Sequence, residues 1–333
     1  MKIGVIGDIH FCEYASILRT RGIKYSTRLE NCIKSINWAE DLTKNCDIIV
    51  YLGDFFDKSD LNSEEITALS SILWNSKPHK FLVGNHEMGI NNLIFSSAHI
   101  FNDNTNKVVI DTPTIESLPN NVELCYLPYI LEMDRKQSIS EYFPVHSNNK
   151  RIIFSHNDIS GIQLGHFITK EGFYIDDIKS SCELFINGHL HNGSNITDTI
   201  INLGNLTGQN FSEDAFTYKH RILVLDTDTL DYEFYINPYA INFYKLNNIK
   251  DIDKVVNAVI TIKTTEDDLN KVKTLIDNNP NILASRIIID YSTKDNIITE
   301  TISVDHIKEF RKFVINEIGN SKLILEELDI ING

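Results

Sequence analysis

Lys2-Ile3-Gly4-Val5-Ile6-Gly7-Asp8-Ile9-His10 is the stretch from which the rest of the chain can be read. The run Lys2 to Ile6 has the short, apolar texture of a strand, stops on a glycine, and is followed by two metal-binding side chains at alternate positions. The pattern then recurs. Gly53-Asp54 follows the run Asp47 to Leu52, Gly84-Asn85-His86-Glu87 follows Lys80 to Val83, Ser155-His156 follows Arg151 to Phe154, and Gly188-His189-Leu190-His191 follows Glu183 to Asn187. In an α/β sandwich the carboxyl ends of such strands line one edge, where ligands collect. Segments far apart in sequence are therefore expected to meet as one site.

Working outward, strands and helices alternate through about Phe154. Arg28 to Thr43 carries Leu29, Cys32, Ile33, Ile36, Ala39 and Leu42 at helical spacing, the mark of a crossover helix between the first two strands. Ser63 to Ile66 opens a second helix capped by Asn62 or Ser63, with Ile66, Leu69, Ser70 and Leu73 expected inward before Pro78 ends the segment. From Val108 the texture changes to short strands at Val108 to Ile110, Val122 to Tyr126, Thr197 to Ile201, Ile222 to Leu225 and Asp231 to Ile236. Two packed sheets with helices outside accommodate both halves, so the fold class is α/β. The first domain is expected to end around Asn237-Pro238-Tyr239, giving residues 1–238. A small α/β unit follows over 239–303, with strands at Ala258 to Lys263 and Ile287 to Tyr291 and a helix at Glu266 to Ile276. The stretch 304–333 carries a helical apolar stripe, Val304, Ile307, Phe310, Phe313, Val314 and Ile318, that suits packing on the small domain or docking of a partner.

Composition narrows the class. With 333 residues and 42% hydrophobic content the chain can bury a large core, and no run approaches the roughly 20 apolar residues of a membrane span. The amino terminus is expected to enter a strand directly, with no signal sequence before it. Five dispersed cysteines without a Cys-x-x-Cys pair argue against a disulfide framework and against a closed zinc site, which points to a reducing cytoplasm. The balance of 31 Lys plus Arg against 46 Asp plus Glu, a formal net of -15, weighs against non-specific nucleic-acid binding. Bound cations or a basic partner can offset that acidity.

The ligand types specify the chemistry. Two divalent ions about 4 Å apart need a bridging carboxylate and a mixture of oxygen and imidazole donors, a set that manganese, iron and zinc accept. Asp54 is the natural bridge. Asp8 and His10 point to one side of a strand end and can bind one ion with His191, while Asn85, His156 and His189 serve the other. A lone Asp-x-His pair describes a solvated strand end as well as it describes a ligand pair. The full constellation, each member beside a Gly or Ser that permits tight turning, does not.

The order Asp8-x-His10, Gly53-Asp54, Gly84-Asn85-His86-Glu87, His156, Gly188-His189-x-His191 resembles the calcineurin-like metallophosphoesterase superfamily over roughly Met1 to Pro238. Within it, Gly53-Asp54-Phe55-Phe56-Asp57 and the small carboxy-terminal domain resemble the SbcD-type nuclease subunit, particularly the phage recombination endonuclease subunits. The resemblance implies a four-layer α-β-β-α sandwich with a capping domain. It also implies a manganese-dependent phosphodiesterase acting on DNA, a homodimer, and a coiled-coil ATPase partner of the SbcC type. The chain has no Gly-x-x-x-x-Gly-Lys-Ser/Thr sequence, so ATP binding belongs to that partner. Asn202 to Gly208 stands where the family has a turn after the last histidines, and places Asn205 and Thr207 along the expected substrate groove. Glu87 stands where Asp is common, and Asp57 where some relatives have His.

The mechanism expected from the resemblance is in-line attack on phosphorus by a hydroxide activated by two metals. His86 contacts the phosphate or protonates the leaving oxygen, and Glu87 holds its imidazole. A stand-alone phosphatase or cyclic-nucleotide phosphodiesterase is the alternative, and a scaffold with lapsed catalysis a third class. His79 is expected as a partly exposed turn residue; His99, His146, His166, His220 and His306 are read as structural. Asp158 is placed to orient His156 or to be a plain loop carboxylate. Phe55, Phe56, Tyr126 and Tyr129 have two readings, support of bases or sugar near the cleft and core packing, with packing the default.

Overall fold

Ile3 and Val5 face one side of the first strand and Ile6 the other, and both sides are buried, so this strand must be covered twice. The computed structural model, described over residues 1–14, 22–102, 106–136, 138–143, 149–164 and 167–291, shows what covers it. Strand β1 (Lys2–Ile6) leads through helix α1 (Thr27–Thr43) to β2 (Ile48–Tyr51), then through α2 (Ser63–Leu69) to β3 (His79–Leu82) and on to β4 (Lys107–Ile110). A second series runs β5 (Thr114–Leu118), β6 (Val122–Leu127), β7 (Lys150–Ser155), α3 (Ile175–Ser181), β8 (Leu184–Asn187), β9 (Ser194–Asn195) and β10 (Ile200–Asn202), before β11 (Arg221–Asp226) and β12 (Tyr232–Ile236). Among the described residues these make two six-stranded sheets, ordered β12-β11-β1-β2-β3-β4 and β9-β10-β8-β7-β6-β5. The inner strands of each are parallel, in registers such as Val5 with Val50 and Ile186 with Phe154, and β11, β12, β5 and β9 run antiparallel at the edges.

Three buried layers result. Ile3, Val5, Val50, Leu82, Leu124, Phe154 and Ile186 fill the space between the sheets. Leu29, Cys32, Ile36 and Ala39 of α1 cover the outside of the first sheet against Ile6, Ile49 and Phe81. Ile178 of α3, with Ile139 and Phe143, covers the outside of the second against Cys125, Ile153 and Phe185. This is the expected α-β-β-α order. Because β1, β2, β3, β7 and β8 are parallel members of their sheets, their carboxyl ends gather at one rim.

Helix α1 begins where Ser26 accepts the Leu29 amide, 3.2 Å, and its inward stripe follows the predicted positions. Two charged residues are buried with that stripe, Arg28 and Glu40. Glu40 explains His79. The expected turn residue is instead the first of β3, fully buried, with Nε2 3.1 Å from Glu40 and its ring stacked on Tyr51. A buried carboxylate requires partners, and His79, the Tyr51 hydroxyl and the Asn75 amide supply them. Helix α2 also departs from expectation. Its capping box, Asn62 with Glu65, turns Glu65 and Ala68 inward and leaves Ile66 and Leu73 exposed. Glu65 is retained inside by Lys58 at 3.1 Å and the Glu13 amide.

After β12 comes a separate three-stranded parallel sheet, β13 (Asn242–Leu246), β14 (Ala258–Thr264) and β15 (Ile282–Ile289), with α4 (Leu269–Asp277) between the last two strands. Val272 packs there with Ile260 and Ile262. Sequence reading missed β13 and began β15 at Ile287, because Ala284, Ser285 and Arg286 break the apolar run. Met1–Ile289 forms one compact unit. The helical stripe expected in 304–333 lies outside the described residues.

Candidate metal centre

Three of the five strand ends deliver a ligand-type residue through a backbone that is itself unusual. His10, Asp54 and His189 have φ of 50°, 44° and 70°, the left-handed region that non-glycine residues seldom occupy, and Gly53 between β2 and Asp54 has φ 109°. The turns hold each other. The amides of Ile9 and His10 both donate to the Asp54 carbonyl, at 3.1 and 3.0 Å, and the His86 amide donates to Asp54 Oδ1 at 2.9 Å. Asp54 thus joins three of the five segments through its main chain and side chain.

Two adjacent clusters follow. Asp8, His10 and His191 offer ligand atoms all within 4.8 Å of one another, as do Asp54, His156 and His189. A third grouping, His10, Asp54 and His86, bridges them. Asp54 Oδ2 lies 3.0 Å from His156 Nε2 and 4.0 Å from His10 Nε2, between the two sets. Asn85 Oδ1 is 3.2 Å from His156 Nε2 and 3.0 Å from His189 Nδ1. The structure therefore brings together Asp8, His10, Asp54, Asn85, His156, His189 and His191, in the two sets that their chemistry suggested.

The donor set fits divalent cations. Asp8, His10, Asp54 and His156 are buried, and Asp8 Oδ2 and His10 Nε2 have no hydrogen-bond partner among the described residues. Buried polar atoms are ordinarily paired, so two orphans facing a common space mark a place for a cation. Oxygen and imidazole donors without thiolate suit manganese, iron or zinc. The space also depends on glycine. A Cβ on Gly188 would stand 2.5 Å from Asp8 Oδ1, although its backbone is ordinary. Gly188→Ala is expected to displace the Asp8 carboxylate and weaken cation binding by about 10-fold or more while the fold persists. Calorimetric titration with Mn2+ beside a circular-dichroism melt checks both halves.

The imidazoles are oriented from behind. His156 Nδ1 donates to the Leu52 carbonyl at 2.9 Å, which leaves Nε2 toward Asp54 and Asn85. His189 Nε2 sits 3.0 Å from Asp158 Oδ1, leaving Nδ1 toward Asn85. Asp158 orients His189, then, and not His156 as its sequence position suggested. Burial works against charge on His156, but Asp54 and Asp8 outweigh it and raise that imidazole to about 9. Burial likewise opposes ionisation of Asp54, yet His156 and His10 hold it below the ordinary carboxylate range.

His86 is the half-open member, with its side chain 40% exposed. Its Nδ1 lies 3.3 Å from the Asp57 carbonyl and 3.5 Å from Asp57 Oδ1. The Asp57 contact, opposed by partial burial, raises His86 to about 9. Glu87 does not hold this ring. It is fully buried and accepts the amides of Gly84 at 2.9 Å and Phe56 at 3.0 Å, so it braces the loop. Burial and the nearby Asp54 push its carboxyl up to about 8. Asp57 takes the place assigned to Glu87, and it also receives His10 Nδ1 at 3.0 Å and Gln209 Nε2 at 2.5 Å. The signal was present in the spacing Gly53-Asp54-Phe55-Phe56-Asp57, where a three-residue step returns the second carboxylate to the rim.

Asn205 and Thr207 are not groove-lining. Both are fully buried; Asn205 Nδ2 donates to Glu213 at 3.0 Å, and the Thr207 hydroxyl donates to Asn31 and accepts the Ile241 amide. A hydroxyl with both roles filled by protein has little left for a substrate. Tyr129, half-buried with its ring 5.8 Å from that of His189, does border the site. Phe55, Phe56 and Tyr126 are core, as expected.

A four-layer sandwich whose parallel strand ends converge on paired Asp and His clusters defines a metallophosphoesterase. The chain belongs to the calcineurin-like phosphoesterase family, which its residues 1–231 match. Among solved structures it is similar to TT1561 of Thermus thermophilus, at 11% identity and TM-score 0.39, over 71% of this chain and 98% of that one. It is also similar to the calcineurin-like phosphoesterase YfkN from Bacillus subtilis, at 12% identity and TM-score 0.38, over 71% and 88%. No curated protein matches it in sequence. Among the described residues no helix is long and apolar enough to cross a membrane.

Proposed function

We propose that this metal-dependent phosphoester hydrolase acts on phosphodiester bonds of DNA, as the nuclease subunit of an SbcD-type complex. In this reading it is a homodimer that works with a coiled-coil ATPase of the SbcC type, and its ions are manganese. The observation that carries the reading is the attachment of the sheet β13–β15 to the wall of the site. Gly208 donates to the Ile241 carbonyl at 2.9 Å and Ala215 to the Phe243 carbonyl at 2.7 Å, so the segment behind His191 is laid against β13. A phosphatase acting on a small ester has no need of such a unit. A subunit that must place a long polymer, and answer to a partner, does.

Asp8, His10 and His191, and Asp54, Asn85, His156 and His189, would hold divalent cations, which when bound would supply an acidified water and charge neutralisation at phosphorus. The chain's own residues do the rest. The fully buried Asp8, His10, Asp54 and His156 form the floor, and the exposed edge of His86 marks the side from which a phosphate enters. The Asp57 carboxylate fixes Nδ1 of His86 and leaves Nε2 for a phosphoryl or leaving oxygen.

The formal net charge of -15 favours the other reading, a stand-alone phosphatase or cyclic-nucleotide phosphodiesterase. With Mn2+, the purified chain is expected to cleave linear double-stranded DNA and bis-para-nitrophenyl phosphate well above para-nitrophenyl phosphate. An ATPase encoded beside it should be retained on the tagged chain and stimulate DNA cleavage. Hydrolysis of the monoester alone would overturn the nuclease reading and leave the phosphatase.

A further inference from the structure

Glu213 lies in no segment that ligand spacing singles out, yet it is among the most heavily used carboxylates in the molecule. It is 1% exposed. Its Oε1 accepts Asn205 Nδ2 at 3.0 Å and the amides of Gln209 and Asn210 at 3.0 and 3.2 Å. The same oxygen lies 3.6 Å from His191 Nδ1, just beyond hydrogen-bond distance. Gln209, held by Glu213 through its amide, donates its side chain to Asp57, and Asp57 receives His10 Nδ1. From the other side the buried Arg28 guanidinium donates to the carbonyls of Gly208 and Ile9, at 2.7 and 2.9 Å, closing a ring around the first ligand segment.

We infer that Glu213 is a positioning residue for the cation position formed by Asp8, His10 and His191, and not for the one formed by Asp54, His156 and His189. The second position has its own supports, the Leu52 carbonyl behind His156 and Asp158 behind His189, and neither touches Glu213. The inference rests on the two-cation reading of the site but not on DNA as substrate.

The physical reason is tautomer choice. An imidazole that gives its Nδ1 proton to a carboxylate presents a free lone pair at Nε2, whereas one that accepts at Nδ1 carries its proton on Nε2 and cannot bind a cation there. Both kinds of partner face His191. Asn210 Nδ2, a donor, is 3.4 Å from the same Nδ1, and its orientation is fixed because Asn210 Oδ1 is taken by the Ser212 amide and hydroxyl. Asn210 is the nearer of the two, but a cation at Nε2 requires the proton on Nδ1, and of the two partners only the Glu213 carboxylate, at 3.6 Å, can then accept it. Without its charge the Asn210 amide becomes the stronger partner, and the ring turns its donor toward Asp8 and His10.

The test compares the wild-type chain with Glu213→Gln and Asp158→Asn, using Mn2+ alone as the probe. Free Mn2+ is followed by electron paramagnetic resonance, and 15N-histidine spectra of the metal-free proteins report the tautomers. Glu213→Gln is expected to weaken one of two Mn2+ positions by about 10- to 100-fold, leave the other within about threefold, and move the His191 signals to the Nε2-protonated pattern. Asp158→Asn should weaken the opposite position, so the double variant loses both. Equal weakening of both positions by Glu213→Gln, or an unchanged His191 tautomer in the folded variant, overturns the inference. Fewer than two Mn2+ on the wild-type chain overturns the two-cation reading beneath it, a separate result. If Glu213→Gln does not fold, Asn210→Ala decides: with the competing donor gone, His191 is expected to keep its Nδ1 proton and the Asp8, His10 and His191 position to hold Mn2+ at least as tightly as in wild type, and selective weakening of that position overturns the inference.

Discussion

Asp54→Asn is expected to abolish the rise in melting temperature that Mn2+ gives the wild-type chain, and with it essentially all turnover. The side chain is nearly isosteric, so the fold has little reason to fail: Oδ1 can still accept the His86 amide, and the main-chain carbonyl still receives Ile9 and His10. What disappears is the charge between the two clusters. Asp54 Oδ2 lies 3.0 Å from His156 Nε2 and 4.0 Å from His10 Nε2, whereas Asp8, which also nears the second set, meets His156 only at Nδ1, 3.7 Å away on the side turned to the Leu52 carbonyl. Loss of a partner that only supports a ligand already costs about 10- to 100-fold in metal affinity, so loss of the shared ligand should exceed that. At a Mn2+ concentration about 100 times the dissociation constant, binding stabilises the wild-type fold by about 2.7 kcal/mol. Thermal melts with and without Mn2+ on both proteins read this directly. A variant that melts normally in EDTA, yet is still stabilised by Mn2+ as strongly as wild type, would remove Asp54 from its central place.

The ligand set was legible because the chemistry of a cation site and the geometry of a parallel sheet constrain the same residues. Asp8, Asp54, Asn85, His156 and His189 each stand just beyond a strand, and their type is unusual enough after an apolar run to be noticed. The supports were not legible for the opposite reason. Glu213 sits in the segment Phe211 to Asp214, where an acidic residue describes an exposed loop as well as a buried anchor, and only the closure of β10, β11 and β13 around it decides. Asp57 was visible as a motif position but not as the partner of two imidazoles, since periodicity gives no information about which of Asp57 and Glu87 turns toward His86.

The same limit governed the helices. Amphipathic spacing placed α1 correctly because it is long and one stripe dominates. In α2, only seven residues long, the capping box outweighed the apolar spacing and turned Glu65 inward. His79 was misread because its partner Glu40 lies on a different element, and a buried contact between distant segments leaves no trace in local sequence. Elements that are determined by their own residues can be read from a sequence. Those determined by a neighbour on a distant segment need the fold.

His86→Ala should separate binding from chemistry. The two sets Asp8, His10, His191 and Asp54, His156, His189 are complete without it, and Asn85 keeps its place through His156 and His189. Cation stoichiometry is therefore expected to stay at the wild-type value, with turnover on a phosphodiester falling by about 100- to 10,000-fold, the range for loss of a positioned proton donor. The ring is the most exposed of the cluster and is held at Nδ1 by Asp57, so its Nε2 is the nitrogen left to meet substrate. The loss should fall mainly on kcat for a substrate with a poor leaving group and be smaller for one with a good leaving group, because proton donation matters less as the leaving oxygen becomes less basic. Bis-para-nitrophenyl phosphate and an alkyl phosphodiester, assayed on the same preparations whose metal content has been measured, make the comparison. Equal losses on both substrates would point to phosphate contact in place of proton donation, and loss of a cation in His86→Ala would return the residue to the ligand set through His10 and Asp54.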